Sequence, residues 1–156
     1  MKLNEMFDLD YFTFNVDADD FIELVNKVSK NLLELNLVND TYQSALLERE
    51  ELFPTGLITQ GLNIGLPHTD PEHIIKPFVY VVRSKKPIQI RQMGDNQLID
   101  VSNFFFLGIK EPSKQVQLLQ TMMNLFMDMN FVSNYEKSKS EEEAFLKLSE
   151  KLNLNN

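Results

Sequence analysis

Two uninterrupted apolar runs, Phe78-Val79-Tyr80-Val81-Val82 and Phe104-Phe105-Phe106-Leu107-Gly108-Ile109, constrain this chain more than any other feature. Both are rich in aromatic and β-branched residues and too short for a buried helix, so they read as buried strands. A strand without a polar face has no side to turn to water and must be covered by other layers. Amphipathic helices able to cover it lie before and after these runs in the chain.

Phe21, Leu24, Val25, Val28, Leu32 and Leu35 recur at steps of three and four and predict a helix over 19–36, with Asp17 to Asp20 offering N-caps. Asn39-Asp40 breaks that stripe. Asp40 with Gln43 resembles a capping box for a second helix, which carries Ala45, Leu46 and Leu47 and ends at Glu48-Arg49-Glu50-Glu51 before Phe53-Pro54. Pro112 and Ser113 open a long helix with Val116, Leu119, Met122, Met123, Phe126 and Met129 on its apolar face. Ser140 with Glu143 caps a last one carrying Ala144, Phe145, Leu148 and Leu152. Phe12, Phe14 and Val16 alternate as a first strand, 55–61 is extended, and 63–66 is a further short strand. Arg83-Ser84-Lys85-Lys86-Pro87 reads as a solvated hairpin turn leading to an edge strand at Ile88-Gln89-Ile90, and Gly94-Asp95-Asn96 marks another turn. Residues 69–77 read as a loop with two prolines. Two helices, several strands and two more helices make an α/β sandwich around a mixed sheet, one domain over 1–156 without repeat or linker.

Composition removes several function classes. The chain has no cysteine, which excludes disulfides, thiolate metal sites and cysteine nucleophiles. Its 15 basic against 23 acidic residues give a net charge of −8, a surface that repels nucleic acid and anionic lipid. Such a surface can still meet a basic protein partner. No apolar run is long enough to span a bilayer, and the start lacks an apolar signal core, so the expected location is the cytoplasm, with no membrane insertion. There is no Gly-x-Ser-x-Gly elbow, no Gly-x-Gly-x-x-Gly and no Walker loop. Glu48, Glu50 and Glu51 read as helix-end decoration rather than as a catalytic carboxylate pair.

One stretch carries chemistry: Gly61-Leu62-Asn63-Ile64-Gly65-Leu66-Pro67-His68-Thr69-Asp70. Pro67 fixes its own φ, holds Leu66 extended and so sets the direction of His68 at a strand end. The glycines at 61 and 65 leave room for another backbone or a partner surface. A neutral imidazole attacks phosphorus well near neutral pH, provided one ring nitrogen keeps its proton on a fixed acceptor. The opposing reading makes His68 a core histidine satisfied by a backbone carbonyl. Arg49 is the best available cation for phosphoryl oxygens, set against a solvated arginine paired with a neighbouring glutamate. A third possibility is a metal site from His68, Asp70 and His73, although Pro71 interrupts any helical ligand spacing.

The span 46–57, Leu46-Leu47-Glu48-Arg49-Glu50-Glu51-Leu52-Phe53-Pro54-Thr55-Gly56-Leu57, followed by Gly65-Leu66-Pro67-His68-Thr69-Asp70, resembles the type-2 enzyme IIA domain. This is the fructose–mannitol–galactitol–nitrogen class of the phosphoenolpyruvate-dependent sugar phosphotransferase system. The resemblance covers essentially the whole chain. It implies an α/β fold, a mixed β-sheet flanked by helices in a single-domain enzyme IIA type-2 architecture. It also implies a phosphoryl group received from the phosphocarrier protein HPr on Nε2 of His68 and passed to an enzyme IIB, which serves a membrane enzyme IIC. No cofactor, metal or nucleotide is implied. By the same resemblance Arg49 steadies the phosphoryl oxygens. Gln115 stands where many relatives carry a second histidine; the alternative is a plain exposed helix residue. Glutamine can donate a hydrogen bond there but cannot titrate. The Gln115 position and Pro-His-Thr-Asp-Pro-Glu-His make the chain most similar to the galactitol-type subgroup. A regulatory, nitrogen-type module phosphorylated at the same histidine is the alternative role. Leu57, Leu62 and Leu66 are expected to form an apolar rim around His68.

Overall fold

The two apolar runs lie side by side as the central antiparallel pair of a five-stranded sheet in the computed structural model, which describes residues 2–153. The elements run β1 (Phe12–Val16), α1 (Phe21–Glu34), α2 (Tyr42–Leu52), β2 (Gly56–Ile58), β3 (Asn63–Gly65), β4 (Phe78–Arg91), β5 (Leu98–Gly108), α3 (Pro112–Leu125), α4 (Met129–Glu136) and α5 (Glu141–Leu152). The strand order is β1-β4-β5-β3-β2, with β1 parallel to β4, β3 parallel to β5, and β2 antiparallel to β3. The sheet is therefore mixed, as the order of elements predicts.

Why the runs lack a polar face is visible in the packing. Phe78, Tyr80, Val82, Phe104 and Phe106 face α1 and α2 through Leu24, Val28, Leu32 and Leu46. The intervening Val79, Val81, Phe105 and Leu107 face Met122, Phe126, Tyr135 and Leu148 of the C-terminal helices. Alternate side chains enter two separate cores, one on each face. The stripe of α1 buries at Leu24, Val25, Val28 and Leu32, while Phe21 is partly buried and Leu35, which caps the helix, is exposed. Asp20 accepts the N–H of Glu23 at 2.8 Å, and Ser140 that of Glu143 at 3.2 Å, so both predicted caps form.

Four local expectations are corrected. The segment 83–87 is not a hairpin turn. Arg83 pairs with Asn103 and Ile88 with Val101, so five steps on β4 oppose two on β5, and one strand continues through a bulge. Pro87 has no N–H to pair, Lys85 to Pro87 are exposed, and Ile88 and Ile90 re-enter the core on the α1 and α2 side. The chain reverses later, at Gly94 and Asn96, both with positive φ.

Asp40 does not cap α2. Thr41 occupies that position without a side-chain capping bond, Asn39 Oδ1 accepts the Thr41 N–H at 3.2 Å, and Gln43 reaches Asn26 of α1 instead. Tyr42, rather than Ala45, fills the core beside Leu46.

The long helix from Pro112 breaks after Leu125. Asp128 accepts the N–H groups of Asn130 and Phe131 at 3.1 and 3.2 Å and starts α4. The break lets Phe126, Phe131 and Tyr135 pack together over Phe105, whereas Val116 and Met129 are exposed.

The glycines before His68 also behave differently from expectation. Gly61 makes a turn at φ 107°. At Gly65 an added Cβ would stand 2.8 Å from the Phe104 ring and 3.1 Å from Ile90, so its space is taken by the core and not by a partner.

Candidate functional site

β3 enters the sheet beside β5, and the chain leaves it through Leu66 and Pro67 in an extended path fixed by the proline. The Pro67 carbonyl accepts the Leu107 N–H at 2.9 Å, and His68 bridges Leu107 in parallel register. The imidazole is thus anchored to the central strand. Its Nδ1 lies 2.7 Å from the Leu66 carbonyl, an acceptor only, so Nδ1 carries the proton. Both readings of His68 are present at once: the residue is 8% exposed and its ring is satisfied by a backbone carbonyl, as a core histidine would be. Yet Nε2 has no hydrogen-bond partner, and it is absent from the seven side-chain polar atoms sealed without one among the described residues. The small surface His68 retains therefore includes Nε2, an unshared lone pair facing out.

Burial holds the His68 pKa below the usual imidazole range; the Leu66 carbonyl opposes this, the Arg49 charge reinforces it, and Asp70 again opposes. The ring is consequently neutral at physiological pH, the state in which nitrogen is a nucleophile.

Arg49 sits on the last turn of α2 and is brought to this segment, not to a neighbouring glutamate. Its Nη1 donates to Asp70 Oδ1 at 3.0 Å, its guanidinium lies 5.4 Å from the centre of the exposed Phe53 ring, and its Nε is enclosed without a partner. Asp70, read from sequence as a loop residue or ligand, orients the guanidinium. His73 has side-chain partners of its own. Its Nδ1 is 2.7 Å from the Thr41 hydroxyl, and the turn Pro71–His73 is tied to Asn39 through the carbonyls of Glu72 and His73 at 3.1 and 3.2 Å. Among the described residues no group of three His, Cys, Asp or Glu side chains is arranged to hold a metal ion.

Gln115 stands in the first turn of α3, half-buried, and its side chain makes no hydrogen bond to His68 or Arg49. Leu66 is fully buried in the core, so it forms no part of a rim; Leu57 and Leu62 are only partly covered.

Glu50 was not legible as a site residue. Rather than decorating the helix end, its carboxyl turns inward and accepts from the Thr55 N–H at 2.8 Å and the Thr55 hydroxyl at 2.7 Å. Thr55 is buried, and its carbonyl accepts the Leu66 N–H at 3.3 Å. Desolvation pushes the Glu50 pKa up to about 7, against the Thr55 bonds and the Arg49 charge, which lower it. The only sequence signal was Thr55 five residues on, a spacing too common to stand out.

A raised carboxyl pKa means the folded state takes up a proton that the unfolded chain releases. The contribution is full below the unfolded value and fades as pH rises through about 7. Relative to Glu50→Gln, the wild type should lose about 2 kcal/mol of stability between roughly pH 5 and 7, read from urea unfolding at both pH values. A constant difference would show that Glu50 ionises normally.

A five-stranded mixed sheet covered on both faces by helices is a fold found in known proteins. The family described as "Phosphoenolpyruvate-dependent sugar phosphotransferase system, EIIA 2" matches residues 5–151, and the chain belongs to it. Proteins of this family act as phosphotransferase components. The galactitol-specific EIIA component of Escherichia coli strain K12 is 26% identical over 110 residues, covering 70% of this chain and 73% of that protein. Nitrogen regulatory protein IIA-Ntr from Neisseria meningitidis shares the fold with a TM-score of 0.77 at 19% identity, over 94% of this chain and 98% of that one. The mannitol enzyme IIA of Escherichia coli, solved in complex with phosphorylated enzyme IIB, matches with a TM-score of 0.75 at 18% identity, over 92% and 96% of the two chains.

Proposed function

We propose that this protein is a phosphocarrier that accepts a phosphoryl group from phospho-HPr on Nε2 of His68 and passes it to a cognate enzyme IIB. The observation that carries this reading is the Nδ1–Leu66 bond at 2.7 Å, which commits the ring proton to one nitrogen and leaves the other free to attack. In the transfer, the Nε2 lone pair forms the N–P bond while the bond from phosphorus to the donor atom breaks and its electron pair stays with the donor. Charge develops on the equatorial phosphoryl oxygens, and Arg49, already set beside the segment by Asp70, supplies fixed donors and positive charge to them. Gln115 offers an uncharged donor from the first turn of α3. The reading extends to a cytoplasmic role in sugar or sugar-alcohol uptake through a membrane enzyme IIC. The galactitol-type relative favours a galactitol-like substrate.

Incubation with phosphoenolpyruvate, enzyme I and HPr, followed by intact-mass spectrometry, should show one acid-labile phosphoryl adduct. Peptide mapping should place it at His68 and not at His73, and adding the IIB partner should discharge it. A folded protein that acquires no adduct would overturn the proposal. An adduct that no IIB domain removes would turn the reading toward the regulatory role.

A further inference from the structure

Arg49 and Glu50 are adjacent on the last turn of α2, yet they engage the His68 segment on opposite sides along the chain. Arg49 binds Asp70, two residues after His68, and Glu50 binds Thr55, whose carbonyl holds Leu66, two residues before it. Leu66 in turn presents the carbonyl that takes the His68 Nδ1 proton. Resting on the reading that His68 accepts the phosphoryl group, we infer that Glu50 is a positioning residue for the phosphoacceptor: through Thr55 and Leu66 it keeps the proton on Nδ1 and Nε2 open for attack.

The geometry is economical in contacts and sensitive to loss. Thr55 is the first residue of the extended stretch, and β2 begins at the next residue, where Gly56 pairs with Gly65. Releasing Glu50 from Thr55 frees both the start of β2 and the carbonyl that aligns Leu66. A shift of the Leu66 carbonyl weakens its hold on Nδ1, and the two neutral tautomers then compete. The tautomer with its proton on Nε2 has no lone pair there and cannot attack.

The same carboxyl couples the site to pH. The charges around Glu50 are Arg49, Glu48 and Glu51 from α2 and Arg91 from β4, the last three sharing with it a cavity of about 390 Å³. The α1 residues lining that cavity, Phe21 and Ile22, are neutral. A phosphoryl group on Nε2 adds negative charge beside Arg49. Ionised Glu50 competes for the Arg49 field and opposes that charge; protonated Glu50 leaves the field to the phosphoryl group. Glu50 exchanges its proton with solvent, not with the transferred group. Acceptance should therefore weaken as pH rises through the range in which Glu50 ionises.

Two readouts test this on the full chain. Nitrogen-resolved NMR of the imidazole reports the His68 tautomer, and single-turnover transfer from phospho-HPr reports the rate from about pH 6.5 to 8.5. Glu50→Ala should show both tautomers and accept the phosphoryl group about tenfold more slowly. Glu50→Gln, which retains hydrogen bonds to Thr55 but cannot ionise, should keep the Nδ1–H tautomer. Its rate relative to wild type should climb about threefold across that pH range. A wild-type tautomer and rate in Glu50→Ala would overturn the inference. If that variant fails to fold, Glu50→Gln following the wild-type profile at every pH would overturn it alone. A wild type that accepts no phosphoryl group would sink the phosphoacceptor reading instead, while the tautomer comparison would still decide the hold of Glu50 on His68.

Discussion

His68→Ala should abolish the phosphoryl adduct entirely, whereas every other substitution in the site should only slow its formation. The reason is chemical. Of the two histidines, His73 has its Nδ1 against the Thr41 hydroxyl and its Nε2 3.7 Å from Glu72. No other nitrogen near Arg49 carries a free lone pair, because a guanidinium and backbone amides are donors only. The variant should remain folded. Removing a ring that is anchored to one carbonyl leaves the Leu66 oxygen unpaired, a loss of about 1–3 kcal/mol. Intact-mass spectrometry of a His68→Ala protein with wild-type circular dichroism would check both halves of the expectation. Arg49→Ala should retain the adduct but form it about a hundredfold more slowly, the usual cost of removing a donor aimed at developing charge. An adduct of undiminished yield on the His68→Ala protein would move the chemistry to another residue.

Arg83→Leu should be among the most destabilising single changes at a polar residue, by about 3 kcal/mol and on the order of 10 °C in Tm. Sequence reading placed Arg83 at the start of a solvated turn. The structure instead inserts it between sheet and helix. Its Nε donates to Asn103 Oδ1 at 2.9 Å, its Nη1 to the Ser138 carbonyl at 2.5 Å and its Nη2 to the Tyr135 carbonyl at 3.3 Å. The Tyr135 carbonyl belongs to the last turn of α4 and Ser138 follows two residues past its end, so a cation there also complements the helix dipole. The guanidinium stacks 4.3 Å from the Phe14 ring centre and 5.6 Å from that of Tyr135. Leucine matches the stem but takes the guanidinium from Asn103 Oδ1 and the Ser138 carbonyl, while the Tyr135 carbonyl keeps the Ser138 N–H at 3.0 Å. Arg83→Lys should recover little, since one ammonium cannot reproduce the planar fork. Chemical denaturation of the three proteins measures this; a loss below about 1 kcal/mol in Arg83→Leu would show that water replaces the guanidinium without penalty.

Arg83 illustrates where local reading stops. Arg-Ser-Lys-Lys-Pro has the composition of a turn, and nothing within five residues shows that β5 is long enough to hold the strand through a bulge. The break between α3 and α4 is similar. Leu119, Met122, Met123 and Phe126 carry helical spacing up to the break, and the stop comes from aromatic packing of Phe126 over Phe105, a residue far upstream in the chain. Asp128, with Phe131, Val132 and Tyr135 after it, was a legible cap and stripe, masked because Met129 extended the earlier pattern.

By itself the sequence determined the layers, the caps at Asp20 and Ser140, and the candidate nucleophile. These follow from hydrophobic period, side-chain capping chemistry and the restriction Pro67 places on its neighbours, all effects confined to a few consecutive residues. Only the tertiary structure decided what surrounds that nucleophile. Asp70 reaches Arg49 across 21 positions, and Glu50 meets Leu66 only because Thr55 stands between them where β2 joins β3. The burial that neutralises His68 and lifts Glu50 toward neutrality is likewise a property of packed surroundings. Desolvation depends on every atom that excludes water from a group, and most of those atoms belong to residues distant in the chain.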